Sequence, residues 1–170
     1  AAQDLRDKYA DRVELKVAEG IPFAAYCEMM EKSDVILDQL YSYTPAMNAL
    51  QAMSRGIICV GGGEPENYDI LNETELRPII NVTPSYESVY HQLEALIMHP
   101  ERIADLQSQS VAYVKRHHDY IKVARDLFIM LRKTPEGRKL FILLLELMNR
   151  YCEGVIVEGV ETLEEWREVQ

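Results

Sequence analysis

Ile57-Ile58-Cys59-Val60-Gly61-Gly62-Gly63-Glu64-Pro65-Glu66 joins four apolar residues to three glycines and an acidic turn. Its apolar half leaves no polar face, so a strand built from it must be covered on both sides, as in a parallel sheet between helix layers. The glycines end the strand and let other atoms approach the backbone closely. On either side, Asp34-Val35-Ile36-Leu37 and Pro78-Ile79-Ile80-Asn81-Val82 repeat the short apolar run. Val13-Glu14-Leu15-Lys16-Val17 alternates and stops at Glu19-Gly20, as a half-buried strand does. Helical patterns lie between them. Pro22 opens one through Met29-Met30. Pro45 to Met53 carries Met47, Leu50 and Met53 on one stripe and closes at Gly56. Ser85 caps a third, bearing Val89, Leu93, Leu96 and Ile97. Strands alternating with helices at this spacing predict a three-layer α/β fold, a parallel sheet with helices on both faces and right-handed crossovers.

From Pro100 onward the pattern changes. Glu101 to about Arg132 reads as mostly helix, and Thr134 caps a helix that starts at Pro135 and runs to Tyr151. Gly154 to Glu158 reads as one more strand, and Thr162 caps a last short helix containing Trp166.

The chain has 170 residues, 48% hydrophobic and 27% charged, the balance of a soluble globular protein with a single core. Its formal charge of -10 argues against wrapping a nucleic acid or lying on an anionic membrane, both of which need a basic face. No run approaches the ~20 apolar residues of a membrane span; the richest, Leu140 to Met148, is cut by Glu146. Ala1-Ala2-Gln3-Asp4-Leu5 lacks the basic-then-apolar layout of an export signal, and Ala1 to Tyr9 already reads as helix, so a piece of a longer cytoplasmic protein is expected. Cys27, Cys59 and Cys152 are odd in number and far apart, which predicts buried, inert thiols rather than disulfides or a zinc site.

Parallel sheets bind ligands beyond the carboxyl ends of their strands, so three loops carry the candidate site. Asp38 to Pro45 leads into a helix whose first amides, Ala46 to Ala49, are free to hold a diphosphate. In Gly61 to Tyr68, Glu64 or Glu66 can accept hydrogen bonds from sugar hydroxyls. Glu19 to Pro22 is the third. Elsewhere, His117-His118-Asp119 reads as a solvated helix end, because adjacent side chains on a helix diverge by about 100°. Tyr86, Tyr90 and Tyr113 read as half-buried packing, Met29-Met30 as core, and Glu161, Glu164, Glu165 and Glu168 as a solvated acidic face. Neither a metal nor a cofactor is expected.

Asp34-Val35-Ile36-Leu37-Asp38-Gln39-Leu40, Met47 to Gly56 and Cys59 to Glu66 together resemble the C-terminal donor domain of retaining glycosyltransferases with two facing Rossmann-like domains. The resemblance covers about residues 1–125. It implies a Rossmann-like sheet and a nucleotide or nucleotide-sugar ligand, with Thr44, Pro45, Ala46, Met47 and Asn48 facing the diphosphate. Gln51 would face the ribose, and Gly62, Gly63, Glu64 and Glu66 would lie near the sugar. The family usually places two glutamates where Tyr43 and Gln51 stand here. Only the donor half is matched, so the chain is expected to bind without transferring sugar by itself.

Asp119-Tyr120-Ile121-Lys122 and Val155-Ile156-Val157-Glu158-Gly159-Val160-Glu161-Thr162 resemble the later part of an EAL domain, a barrel phosphodiesterase that hydrolyses cyclic di-GMP with divalent metals. About two strand–helix units of the family's eight are represented. The resemblance assigns Lys122, Glu158 and Glu161 to vestiges of that active site. Two carboxylates do not make a metal site, which needs several oxygen ligands converging from different strands. The expectation is a chimera of residues 1–125 and 126–170, with the tail adding helix, strand and helix to one domain. The alternative is an engineered chimeric fold with no ligand and no activity. An unfilled sheet edge would favour a homodimer.

Overall fold

The apolar run at Ile57 forms the middle strand of a parallel sheet. In the computed structural model, which describes residues 1–151, the first elements are α1 (Ala2–Lys8), α2 (Phe23–Glu31), β1 (Val35–Leu37), α3 (Met47–Met53), β2 (Ile58–Gly61), α4 (Pro65–Ile70) and β3 (Ile80–Asn81). They are followed by α5 (Tyr86–Met98), a single 3-10 turn at Pro100–Arg102, α6 (Ile103–His117), α7 (Tyr120–Arg132) and α8 (Pro135–Tyr151). The chain divides into two compact units, one ending at Asp119 and the other beginning at Tyr120.

In the first unit the strand order is β1-β2-β3, all parallel, with Val35 opposite Ile58, Ile36 opposite Cys59 and Val60 opposite Ile80. Ile58, Cys59 and Val60 are each 0% exposed, because both faces of the sheet are covered. Ile58, Val60, Ile80 and Val82 point to one side and pack with Leu93 and Leu96 of α5 and Leu106 of α6. Cys59 and Ile79 point to the other and pack with Ala49 and Met53 of α3, Tyr68 of α4 and Tyr113 of α6. Met30, Ala52 and Ile57 form a third cluster beside Ile36. α1 lies against α5.

The start of α5 and the end of α3 follow their sequence signals. Ser85 Oγ accepts from the Ser88 amide at 3.2 Å and caps α5. After α3, the Ile57 amide donates to Ala52 O and the Gly56 amide to Met53 O, with Gly56 at φ +80°. This is a Schellman closure, and it needs a left-handed residue where Gly56 stands.

The α/β class therefore holds, with differences in detail. The sheet has three strands among the described residues. Val13–Val17 belongs to no helix and forms no ladder; Val13 and Leu15 are half-buried while Glu14, Lys16 and Val17 face out. α3 starts at Met47 rather than Pro45, and Met47 is 80% exposed, so the buried stripe is Ala49, Ala52 and Met53. The small alanines let the helix sit close to the sheet, which leaves the bulkier Met47 outside. Tyr113 is fully buried and Tyr86 is exposed, so only Tyr90 keeps the half-buried position expected of all three. Cys27 is half-buried rather than buried.

The described part of the second unit is a hairpin of α7 and α8. Thr134 Oγ1 accepts from the Gly137 amide at 3.0 Å, and Pro135 is the first helical residue. Phe128 and Phe141 meet edge to face, with ring centroids 4.7 Å apart. Tyr120-Ile121-Lys122 forms the first turn of α7, not the barrel strand that the EAL resemblance implies. A barrel strand is held by a neighbour on each side, and a segment without them takes the helix its own 3.6-residue periodicity favours. The tail strand at Gly154–Glu158, the Thr162 cap, Trp166, the acidic face from Glu161 to Glu168 and Cys152 lie outside the described residues.

One polar knot ties the first unit together. The Glu73 carboxylate, only 1% exposed, accepts from the amides of Glu75 (2.7 Å) and Leu76 (3.0 Å), from Arg116 Nη1 (3.0 Å) and from His117 Nε2 (2.6 Å). Arg116 also reaches Glu75, and Arg77 Nη1 donates to Glu73 O. His117 is thus part of an internal clamp rather than a solvated helix end, because α6 carries its last turn onto the loop after α4. The His117 hydrogen bond, then the backbone amides, hold the Glu73 carboxyl well below the usual carboxylate range. A carboxyl depressed on folding contributes stability that is complete above its ordinary value of 4.5 and is lost as the pH falls below it. Glu73→Gln is expected to lower the thermal midpoint at neutral pH and to flatten its decline between about pH 5 and pH 2. Parallel pH profiles for the two proteins would contradict this assignment.

Candidate functional site

The site expected at the carboxyl ends of the strands is built from the loop Asp38–Ala46, the glycines Gly61–Gly63 and the start of α4. β1 ends at Leu37, and the next residue, Asp38, turns its buried side chain toward the start of α3. Asp38 Oδ2 accepts from the Ala46 amide at 2.8 Å. A carboxylate at this point satisfies one of the open helix donors and favours the positive end of the helix dipole. The Ala46 amide is therefore not free, which corrects the expectation for that one residue of Ala46 to Ala49. The anion that this helix start attracts is supplied by the chain itself.

The loop between Asp38 and α3 folds back on its own polar groups. Gln39 Nε2 donates to Thr44 O at 3.3 Å, and Ser42 Oγ donates to the same carbonyl at 3.1 Å. Gly61, Gly62 and Gly63 are all buried. A methyl group at Gly62 would collide with the Ser42 carbonyl, and one at Gly63 would stand 2.7 Å from Ile79 Cγ2. The Gly63 amide donates to Asn81 Oδ1 at 3.1 Å. The glycines therefore admit other parts of the chain, the Ser42 carbonyl beside Gly62 and Ile79 beside Gly63. The physical reason is that β2 leaves the sheet between two loops and only glycine fits the gap.

The structure thus brings Thr44, Pro45 and Ala46 to the same end of the sheet as Gly62 and Gly63. Thr44, Pro45 and Ala46 are half-buried, whereas Met47 and Asn48 are exposed at the start of α3, and Gln51 is half-buried one turn further on. Glu64 is half-buried as the N-cap residue of α4, and Glu66 is exposed in its first turn. Lys122 is exposed on α7, in the second unit. Glu158 and Glu161 lie outside the described residues. No cluster of three or more His, Cys, Asp or Glu able to hold a metal occurs among the described residues. No helix among them is long and apolar enough to cross a membrane. Burial, and secondarily the charge of Asp38, push the Cys59 thiol up to about 12, so it is a packing residue and not a nucleophile.

Asp38 and Asn81 are the polar residues that organise this end of the sheet, and the sequence reading gave neither a role. The available signal was position: each stands at or just after the end of a strand and faces open backbone donors.

Fifty-three residues of the chain, 31% of it, are 76% identical to the cyclic di-GMP phosphodiesterase PdeH of Escherichia coli (strain K12). The chain spans 21% of the length of that protein. This match supports the tail as a fragment of the EAL kind. No family model matches the chain, and neither does any solved structure. The glycosyltransferase resemblance finds no support in these comparisons.

Gly62→Ala forces a methyl group into the Ser42 backbone and should cost at least the 1–3 kcal/mol typical of overpacking, roughly. Urea unfolding would read this as a lower midpoint with an unchanged slope. An unaltered midpoint would mean that the loop over Gly62 is not packed as described.

Proposed function

We propose that the chain is a composite of an α/β ligand-binding unit and a fragment of a cyclic di-GMP phosphodiesterase, and that it catalyses neither parent reaction by itself. The carrying observation is the size of the match: high identity confined to 21% of the phosphodiesterase's length. A metal-assisted hydrolysis needs oxygen ligands from several strands of one barrel. A fragment of that size, with Lys122 on an exposed helical turn, supplies too few. Residues 1–125 form the ligand-binding part in this reading, and residues 126–170 the fragment.

The ligand read for the first unit is a nucleotide or nucleotide sugar, held at the carboxyl end of the sheet. Asn48 and Gln51 on α3 and Glu64 and Glu66 around α4 would contribute hydroxyl and phosphate contacts. What supports this is the sequence resemblance to a donor domain and the parallel sheet ending in three loops. A second reading, a chimeric fold with no ligand, is favoured by the Asp38–Ala46 hydrogen bond and the burial of Gly61–Gly63.

A thermal-shift titration with UDP, GDP and their sugar conjugates, with and without magnesium, separates the two. Saturable binding stabilises the folded state by mass action, about 2.7 kcal/mol at a hundredfold excess over Kd, and so raises the midpoint. The ligand-binding reading expects that rise for one nucleotide; a melt indifferent to every ligand would establish the second. Cyclic di-GMP incubated with the chain and magnesium or manganese should remain intact, and its hydrolysis would overturn the non-catalytic reading.

A further inference from the structure

A cavity of about 900 Å³ lies along the outer edge of β1. Its walls come from α1 and α5 (Leu5, Leu93, Leu96), from α2 (Tyr26, Met29) and from β1 itself. It therefore stands beside β1, in the place a fourth strand would take. Val13–Ala18 lines it as well.

The edge of β1 is open. The Ile58 amide donates to Asp34 O and the Asp38 amide to Val60 O. The backbone groups of Asp34, Ile36 and Asp38 thus face β2, and those of Val35 and Leu37 face the cavity. Leu37 is 43% exposed. Among the described residues no backbone hydrogen bond joins Val13–Val17 to β1.

We propose that Val13–Val17 is a strap that docks on the open edge of β1 as a fourth parallel strand and closes this cavity. The alternation is already in phase: Val13 and Leu15 turn toward the protein, and Glu14 and Lys16 turn to solvent and pair with each other at 3.2 Å. An edge strand with one covered face needs that pattern. Docking would bury Val17, which is 70% exposed in the present arrangement. Topology fixes the direction, because the chain leaves Val17, runs through α2 and returns in β1, the crossover that joins parallel neighbours. Gly20, at φ +62° with open space around it, supplies the turn at the strap's end. Docking carries Glu19–Pro22 to the carboxyl end of the sheet, beside Asp38, so the strap's position sets how many loops line that end. This holds whether or not a nucleotide binds there.

Residue-resolved amide hydrogen exchange on the whole chain tests the strap. A docked strap slows Val35 and Leu37 by at least about tenfold relative to an unstructured chain. Leu15→Asp should release these two amides while Ile36 and Asp38, bonded within the sheet, stay slow. Glu14→Gln, on the outward face, should change nothing. If Leu15→Asp loses the fold, the wild-type contrast still decides: free exchange at Val35 and Leu37 beside slow Ile36 and Asp38 overturns the proposal. Protection that survives Leu15→Asp in a folded variant, or disappears on dilution, assigns the edge to another segment or a second copy and overturns it equally.

Discussion

β2 must be apolar on both faces and must leave the sheet through a gap that only glycine fits; the first unit depends on that constraint. Ile58 and Val60 face one helix layer and Cys59 the other, each completely buried. Burying three such side chains contributes on the order of 5 kcal/mol, at roughly 1.5–3 kcal/mol each. β1 and β3 are short and each has β2 as its neighbour in the sheet. The helices are placed by the clusters these strands seed, with α3 and α5 on opposite sides.

The same constraint governs the candidate site. Because Gly61–Gly63 is threaded between the Ser42 carbonyl and Ile79, the end of the sheet is occupied by the protein's own loops. Asp38 then serves as an internal anion for the start of α3, and Asn81 holds the glycine loop from β3. Any ligand at this end must compete with a carboxylate already in place. What reads in sequence as an open anion site carries, in three dimensions, an internal acceptor on one of its amides.

Much of the fold was legible in the sequence because the deciding signals are local. Ile57–Val60 has no polar face, Ser85 precedes an amphipathic run, Gly56 follows one, and Thr134-Pro135 opens another. What escaped depends on residues distant in the chain. Nothing near Glu73 announces Arg116 and His117, which meet it only after α6 has folded back over α4. The closure of the glycine loop was equally hidden, since a triple glycine reads the same whether a ligand or a carbonyl fills the space beside it. The alternation of Val13–Val17 is real, but alternation reports which side chains face inward and not whether a ladder forms. The resemblance to a barrel places Lys122 on a strand, and the helix it occupies follows the local periodicity instead.

The Asp38 carboxylate accepts from the Ala46 amide and so gives the start of α3 an anion of the chain's own at the carboxyl end of the sheet. A through-hydrogen-bond NMR coupling experiment on the labelled chain observes that bond directly. A cross-peak between the Ala46 amide nitrogen and the Asp38 carboxylate carbon, lost in Asp38→Ala with the rest of the spectrum preserved, is the predicted result. An Ala46 amide that shows no such coupling and exchanges freely with solvent would contradict the account, and would mean that the start of α3 is open to an external anion.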